Sequence, residues 1–91
     1  MSVTVKIPTQ LRSVTGGEAA VDVDGAGTVG EALDRLFERH GELRERMLQD
    51  GELQRFVNVY LDGEDVRFLD GLATPVSASS ELTILPAVAG G

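Results

Sequence analysis

The sequence predicts an α+β fold, a mixed β-sheet with one main helix packed across it and a flexible C-terminal tail. Three observations carry this expectation. Short runs of alternating apolar and polar residues, the pattern of half-buried strands, lie both before and after a central helical stretch. That stretch opens with a capping signal at Thr28 and carries one apolar stripe. The chain has 91 residues, a length that argues for a single domain over residues 1–91 with one modest core.

Taken in order, Val3, Val5 and Ile7 alternate with Ser2, Thr4 and Lys6 until Pro8 closes the run, which reads as the first strand. Thr9 to Glu18 contains Gly16-Gly17 and reads as a loop. No Gly-Lys-Ser/Thr follows, so the glycine pair is a turn and not a phosphate cradle. Ala19, Val21 and Val23 alternate with Ala20, Asp22 and Asp24, giving a second strand that pairs with the first as a hairpin. Gly25-Ala26-Gly27 ends it.

Thr28 then stands as an N-cap with Glu31 three residues on, a capping box. Val29, Ala32, Leu33, Leu36 and Phe37 recur at helical spacing, and Glu31 and Arg35 are set i,i+4 for a surface ion pair. Gly41 suits a left-handed C′ position after His40. A shorter helix follows over Glu42 to Leu48 with Leu43 and Met47 inward, ended by Gln49-Asp50-Gly51.

Arg55 to Leu61 is rich in β-formers, Val57, Val59 and Leu61 opposing Phe56, Asn58 and Tyr60. Asp62-Gly63 is a hairpin turn, and Glu64 to Leu69 returns as a short strand. Asp70-Gly71 turns again, Leu72 to Ser80 is a loop held by Pro75, and Glu81 to Leu85 is the last strand with Leu82 and Ile84 on one face. Pro86 ends regular pairing and begins a tail over 86–91. The helical connection after the second strand places a later strand parallel to the first. This order of elements is the one a β-grasp, ubiquitin-like fold requires.

Composition narrows the function classes. Fifteen acidic residues against eight basic ones give a formal net charge of −7. Such a surface repels nucleic acid and anionic membranes, whose recognition rests on Lys and Arg, and favours a partner with a basic docking face. There are no cysteines, hence no thiolate nucleophile or thiolate metal site. The N-terminus lacks the basic start and apolar run of a secretory signal, so a soluble cytoplasmic protein is expected.

Candidate chemistry within the fold is sparse. His40, the only histidine, sits at a helix end among Glu38, Arg39 and Glu42, where a structural role suffices. Asp62, Glu64 and Asp65 cluster at a turn without calcium-loop spacing, and Asp22 and Asp24 share a flat strand face. No enzymatic site of the chain's own, no metal site and no bound cofactor are expected.

The tail is different. Two terminal glycines arise by chance in about one chain in two hundred. Here they end an uncharged segment, Ala87-Val88-Ala89-Gly90-Gly91, that leaves directly from the last strand. Six extended residues reach about 20 Å, and glycine without a Cβ passes a narrow channel where another group approaches the backbone. An α-carboxylate is ionised at neutral pH. It can attack the α-phosphate of ATP to form an acyl-adenylate, which accepts a sulfur nucleophile and becomes a thiocarboxylate.

At this point the chain resembles the ThiS/MoaD sulfur-carrier family. The resemblance rests on Val3-Thr4-Val5-Lys6-Ile7-Pro8-Thr9, Arg55-Phe56-Val57-Asn58-Val59-Tyr60, Glu64-Asp65-Val66-Arg67-Phe68, Gly71-Leu72-Ala73-Thr74 and the ending from Leu82 to Gly91. It implies a β-grasp fold and adenylation of the diglycine carboxylate by an enzyme of the MoeB/MoeZ/ThiF type that uses ATP. It further implies a thiocarboxylate on Gly91, with Gly90 giving backbone access and Ala87, Val88 and Ala89 threading the partner's channel. In the cysteine-forming branch the acceptor is a PLP-dependent cysteine synthase acting on O-phosphoserine, and a metalloprotease then clips cysteine from the tail. Other branches serve thiosugar-type synthases or other natural products, thiazole, tRNA, or molybdopterin synthase as its small subunit; a ubiquitin-like protein modifier would use the same tail. Phe68, Leu85 and Arg67 are candidates for a docking face near the tail's exit, although Phe and Leu are ordinarily core residues.

Overall fold

In the computed structural model, which describes residues 2–54 and 57–86, the alternating runs become strands of one five-stranded sheet. The strands are β1 (Ser2–Lys6), β2 (Ala20–Asp24), β5 (Val57–Leu61), β6 (Glu64–Asp65) and β7 (Glu81–Pro86), in the order β2-β1-β7-β5-β6. Only the β1–β7 pair is parallel, which is the consequence of the helical crossover. A separate two-stranded hairpin joins β3 (Leu48–Gln49) to β4 (Glu52–Leu53). The expectations for Arg55, Phe56 and the tail from Ala87 to Gly91 lie outside the described residues.

Period-two patterning sends Val3, Val5, Val21, Val23, Val57, Val59, Leu82 and Ile84 to one face, where all are buried. Helix α1 (Val29–Arg39) covers that face with the expected stripe: Val29, Ala32, Leu33, Leu36 and Phe37 are all buried. Helix α2 (Gly41–Met47) adds Leu43 and Met47. The core is aliphatic, as a chain with one Tyr, three Phe and no Trp requires. This is the β-grasp arrangement expected from the order of elements.

The start of α1 shows how local chemistry and tertiary packing combine. The Glu31 N–H donates to Thr28 Oγ1 at 3.2 Å, while the Glu31 carboxylate accepts from the Gly27 N–H at 2.7 Å, one residue before the usual reciprocal bond of a capping box. That use of Glu31 explains why Arg35 pairs with Glu38, at 3.2 Å, and not with Glu31. The Val29 N–H donates to the Thr74 carbonyl and the Val76 N–H to the Gly27 carbonyl, so the loop from Leu72 to Ser80 is tied to the helix start. A Cβ at Gly30 would stand 3.1 Å from the Leu72 carbonyl oxygen; glycine there permits the close approach.

Several expectations are corrected. Thr9 to Glu18 is not all irregular: Thr9–Val14 forms 3₁₀ turns after Pro8, because Leu11 can then reach the core, and the Thr15 hydroxyl satisfies the turn's end. Gly41 does not take a left-handed C′ conformation; it is the first residue of α2, which follows α1 across His40 alone. Asp50 and Gly51 do more than end a helix. Both have positive φ, 54° and 82°, and form the two-residue turn of the β3–β4 hairpin. The strand expected over Glu64 to Leu69 stops at Asp65, because the Asp65 carboxylate accepts the Arg67 N–H and bends the chain into a 3₁₀ turn, Val66–Phe68, that buries Val66. Pro86 does not lie beyond the sheet but pairs with Val57 as the last residue of β7.

Candidate functional site

The residues expected to carry the chemistry, Gly91 and Gly90, and those expected to thread a channel, Ala89, Val88 and Ala87, lie outside the described residues. The structure describes the platform from which they depart. β7 occupies the centre of the sheet, with β1 on one side over Glu81 to Thr83 and β5 on the other over its full length. Past Thr83 the strand is paired with β5 alone: Val59 with Ile84, Asn58 with Leu85 and Val57 with Pro86. The chain therefore leaves the sheet beside the beginning of β5.

Leu82 and Ile84 point into the core and are fully buried, so the intervening side chains face away from the helices. Leu85 does so and is 46% exposed. Phe68, on the 3₁₀ turn after β6, is 87% exposed, and Leu69 after it 39%. These three are the exposed large apolar residues among those described. Neither Phe68 nor Leu85 takes the core position that is ordinary for its residue type. Leu69 was not singled out in the sequence, where it reads as the end of a strand.

Arg67 behaves differently from its apolar neighbours. Its guanidinium donates to the carbonyls of Gln54, at 2.8 Å, and Val57, at 2.7 Å, and to Asn58 Oδ1. Asn58 is the residue of β5 directly opposite Leu85. The fold thus brings Arg67 and Leu85 to the same corner of the sheet through Asn58, while engaging the arginine's donors with the protein itself. Asn58 escaped the sequence reading as a site residue, though an Asn inside a run of β-formers is a signal, because Asn is depleted in strands.

Four of the remaining polar candidates have partners within the protein. Asp62 Oδ1 accepts the Glu81 N–H at 2.9 Å and ties the hairpin turn to the start of β7, while Asp65 accepts the Arg67 N–H at 2.9 Å and builds a local turn. The Asp22 carboxylate accepts from Thr4 Oγ1. His40 Nε2 lies 3.3 Å from Glu18. An open depression of about 480 Å³ beside the β3–β4 hairpin is lined by Gly51, Glu52, Leu53, Val66, Arg67, Gly71 and Leu72. It brings together one carboxylate and a guanidinium that is already bonded, without a nucleophile and base of the kind covalent catalysis requires.

The ThiS family profile matches residues 5–91. The sulfur carrier protein CysO of Mycobacterium tuberculosis (strain H37Rv) is 47% identical over 94 residues, covering 100% of both chains. Small archaeal modifier protein 1 of Haloferax volcanii is 40% identical over 88 residues, covering 94% of this chain and 97% of that one. Among solved structures, the Amycolatopsis orientalis BexX/CysO complex contains a chain that superposes with a TM-score of 0.90 at 50% identity, covering 98% of this chain and 99% of that chain.

Proposed function

The chain belongs to the ThiS family, and from that premise we propose that it is a sulfur carrier protein, a cosubstrate without an active site of its own. The observation that carries this reading is the Gly90-Gly91 ending, joined to the central strand of a chain 47% identical to a CysO. In this reading the Gly91 carboxylate attacks the α-phosphate of ATP in an activating enzyme of the MoeB/MoeZ/ThiF type and expels pyrophosphate. Hydrosulfide then displaces AMP, leaving a thiocarboxylate and a proton. The nucleotide binds to that enzyme, and the carrier holds no cofactor. Gly90, Ala89, Val88 and Ala87 thread the channel, where small side chains let the nucleotide approach the backbone.

Phe68, Leu69 and Leu85 form the apolar part of the docking face, and the net charge of −7 favours a basic rim on the partner. Exposed aromatic residues are frequent anchors of such contacts. The downstream partner is a synthase that takes sulfur from the thiocarboxylate. A PLP-dependent cysteine synthase, with a tail-clipping metalloprotease after it, is supported by the similarity to CysO; a thiosugar-type synthase is the neighbouring possibility. Both place the protein in the cytoplasm, where ATP is available.

The test is the intact mass after incubation with an activating enzyme of this type, ATP and sulfide. The full chain gains the difference between sulfur and oxygen, and a chain lacking Gly91 does not. No gain with several competent activating enzymes overturns the reading. The 40% identity to an archaeal modifier protein favours a second one, attachment of Gly91 to target lysines. Lys6, the only lysine, is 3.6 Å from Glu81, so self-conjugated chains have a single acceptor. Recovery of the protein in isopeptide linkage to others in cells is the outcome this second reading requires.

A further inference from the structure

We infer that Arg67 is a positioning residue for the tail: its guanidinium fixes the start of β5, and through it the register of the tail's root, Leu85–Pro86, relative to the turn that presents Phe68. The inference rests on the carrier reading above.

The root is weakly held by the sheet alone. Past Thr83 only β5 flanks it. Its last pair, Val57 with Pro86, adds no hydrogen bond across the strands, because the Val57 carbonyl faces outward and accepts from Arg67. The Val57 N–H faces the same way and donates to the Gln54 carbonyl at 3.0 Å. The stretch of β5 that must hold the root therefore depends on support from its outer side, and β6 pairs only with Tyr60 and Leu61.

Arg67 supplies that support. One arm of the planar fork donates to the Gln54 and Val57 carbonyls, and the other to Asn58 Oδ1. The arginine backbone is itself fixed by Asp65, whose carboxylate accepts the Arg67 N–H. A continuous series results: Phe68 is bonded in sequence to Arg67, Arg67 is hydrogen-bonded to Asn58 and Val57, and these are paired with Leu85 and Pro86. A lysine, with its donors at a single point, cannot span the three acceptors.

The consequence is kinetic. The reacting carboxylate lies several residues beyond the root, and it must be ordered in the partner's channel after the globule has docked. Releasing Leu85–Pro86 from β5 adds two residues to those the partner must order, each costing roughly five- to thirty-fold when fully released and less when only loosened. Docking through Phe68 precedes that step, so the loss falls on kcat more than on KM.

Full-length Arg67→Lys and Arg67→Ala are compared with the parent chain in charging by an activating enzyme, ATP and sulfide, read by intact mass. Melting curves and amide exchange at Asn58 and Leu85 accompany each. Arg67→Lys is expected to stay folded, exchange these amides about tenfold faster and lose about tenfold in kcat, with KM within about twofold. Asn58→Ser, which shortens one acceptor and leaves both carbonyl contacts, is expected to lose about threefold and supplies the milder variant should the arginine changes unfold the chain. Unchanged exchange, unchanged kcat, or a loss confined to KM in a folded variant overturns the inference. Failure of the parent chain to gain sulfur strikes the carrier reading instead.

Discussion

The two edges of the sheet use the same residue type on the same kind of acceptor, with different results. At the β2 edge, Arg39 of α1 donates to the Asp22 carbonyl at 2.8 Å. At the opposite edge, Arg67 donates to two carbonyls and a side chain at the start of β5. Both contacts put a charge where an open strand would otherwise template a foreign one. Around Arg39 the surface is polar, with Asp22, Asp24, Arg35 and Glu38. Around Arg67 stand Phe68, Leu69 and Leu85, all exposed, and the strand that leads to the tail. The lesson is that an edge clamp is ordinary protection in one place and a functional support in another, and what separates them is the strand next door.

The largest effect that could break this contrast is all-or-none. Removing Gly91 is expected to abolish the gain of sulfur, whereas Asp24→Ser at the β2 edge is expected to leave it within about twofold, the range of a surface change far from any contact. Phe68→Ser comes next. Because Phe68 is 87% exposed, melting should be unchanged or slightly raised, while charging kcat/KM falls at least about tenfold, the loss of about 1.4 kcal/mol from an aromatic anchor. An equal loss from Asp22→Asn would dissolve the distinction between the two edges.

Arg39→Ala sharpens the comparison at smaller scale. Chemical denaturation should register about 1 kcal/mol from one lost hydrogen bond at a partly solvated edge, with charging kinetics like those of the parent. Smallest of all is Lys6→Gln, which removes the solvent-exposed pair with Glu81 on the strand between the edges. Its stability cost should lie at or below about 1 kcal/mol and diminish with added salt. A charging defect in that variant would point to Lys6 as a contact that the polarity of its surroundings does not suggest.

Two identical dipeptides show how far sequence patterns reach. Asp62-Gly63 and Asp50-Gly51 both adopt positive φ at both residues and both close hairpins. The first is legible because it follows Val57 to Leu61, a run of clear β-formers. The second is hidden because its strands are two residues long and one of them continues directly from α2. The same limit applies after Asp65: Val66, Phe68 and Leu69 look like a returning strand, and only the side-chain bond from Asp65 shows that the chain turns there.

By itself the sequence determined the periodic and the covalent features of this protein. Alternating valines, the helical stripe from Val29 to Phe37 and the cap at Thr28 depend on residues a few positions apart, so local patterns specify them. The parallel placement of β7 beside β1 follows from a helical crossover, and the Gly90-Gly91 ending is a property of the chain whatever its fold. Tertiary structure decided the rest. Phe68 and Leu85 have the composition of core residues and became surface because the turn after Asp65 and the register of β7 face them outward. Arg67 reads as a free surface charge until folding brings it to acceptors nine, ten and thirteen residues away, two of which are backbone carbonyls. Every residue carries a carbonyl, so no side-chain pattern marks which ones an arginine will meet; that is settled only when the strands have packed.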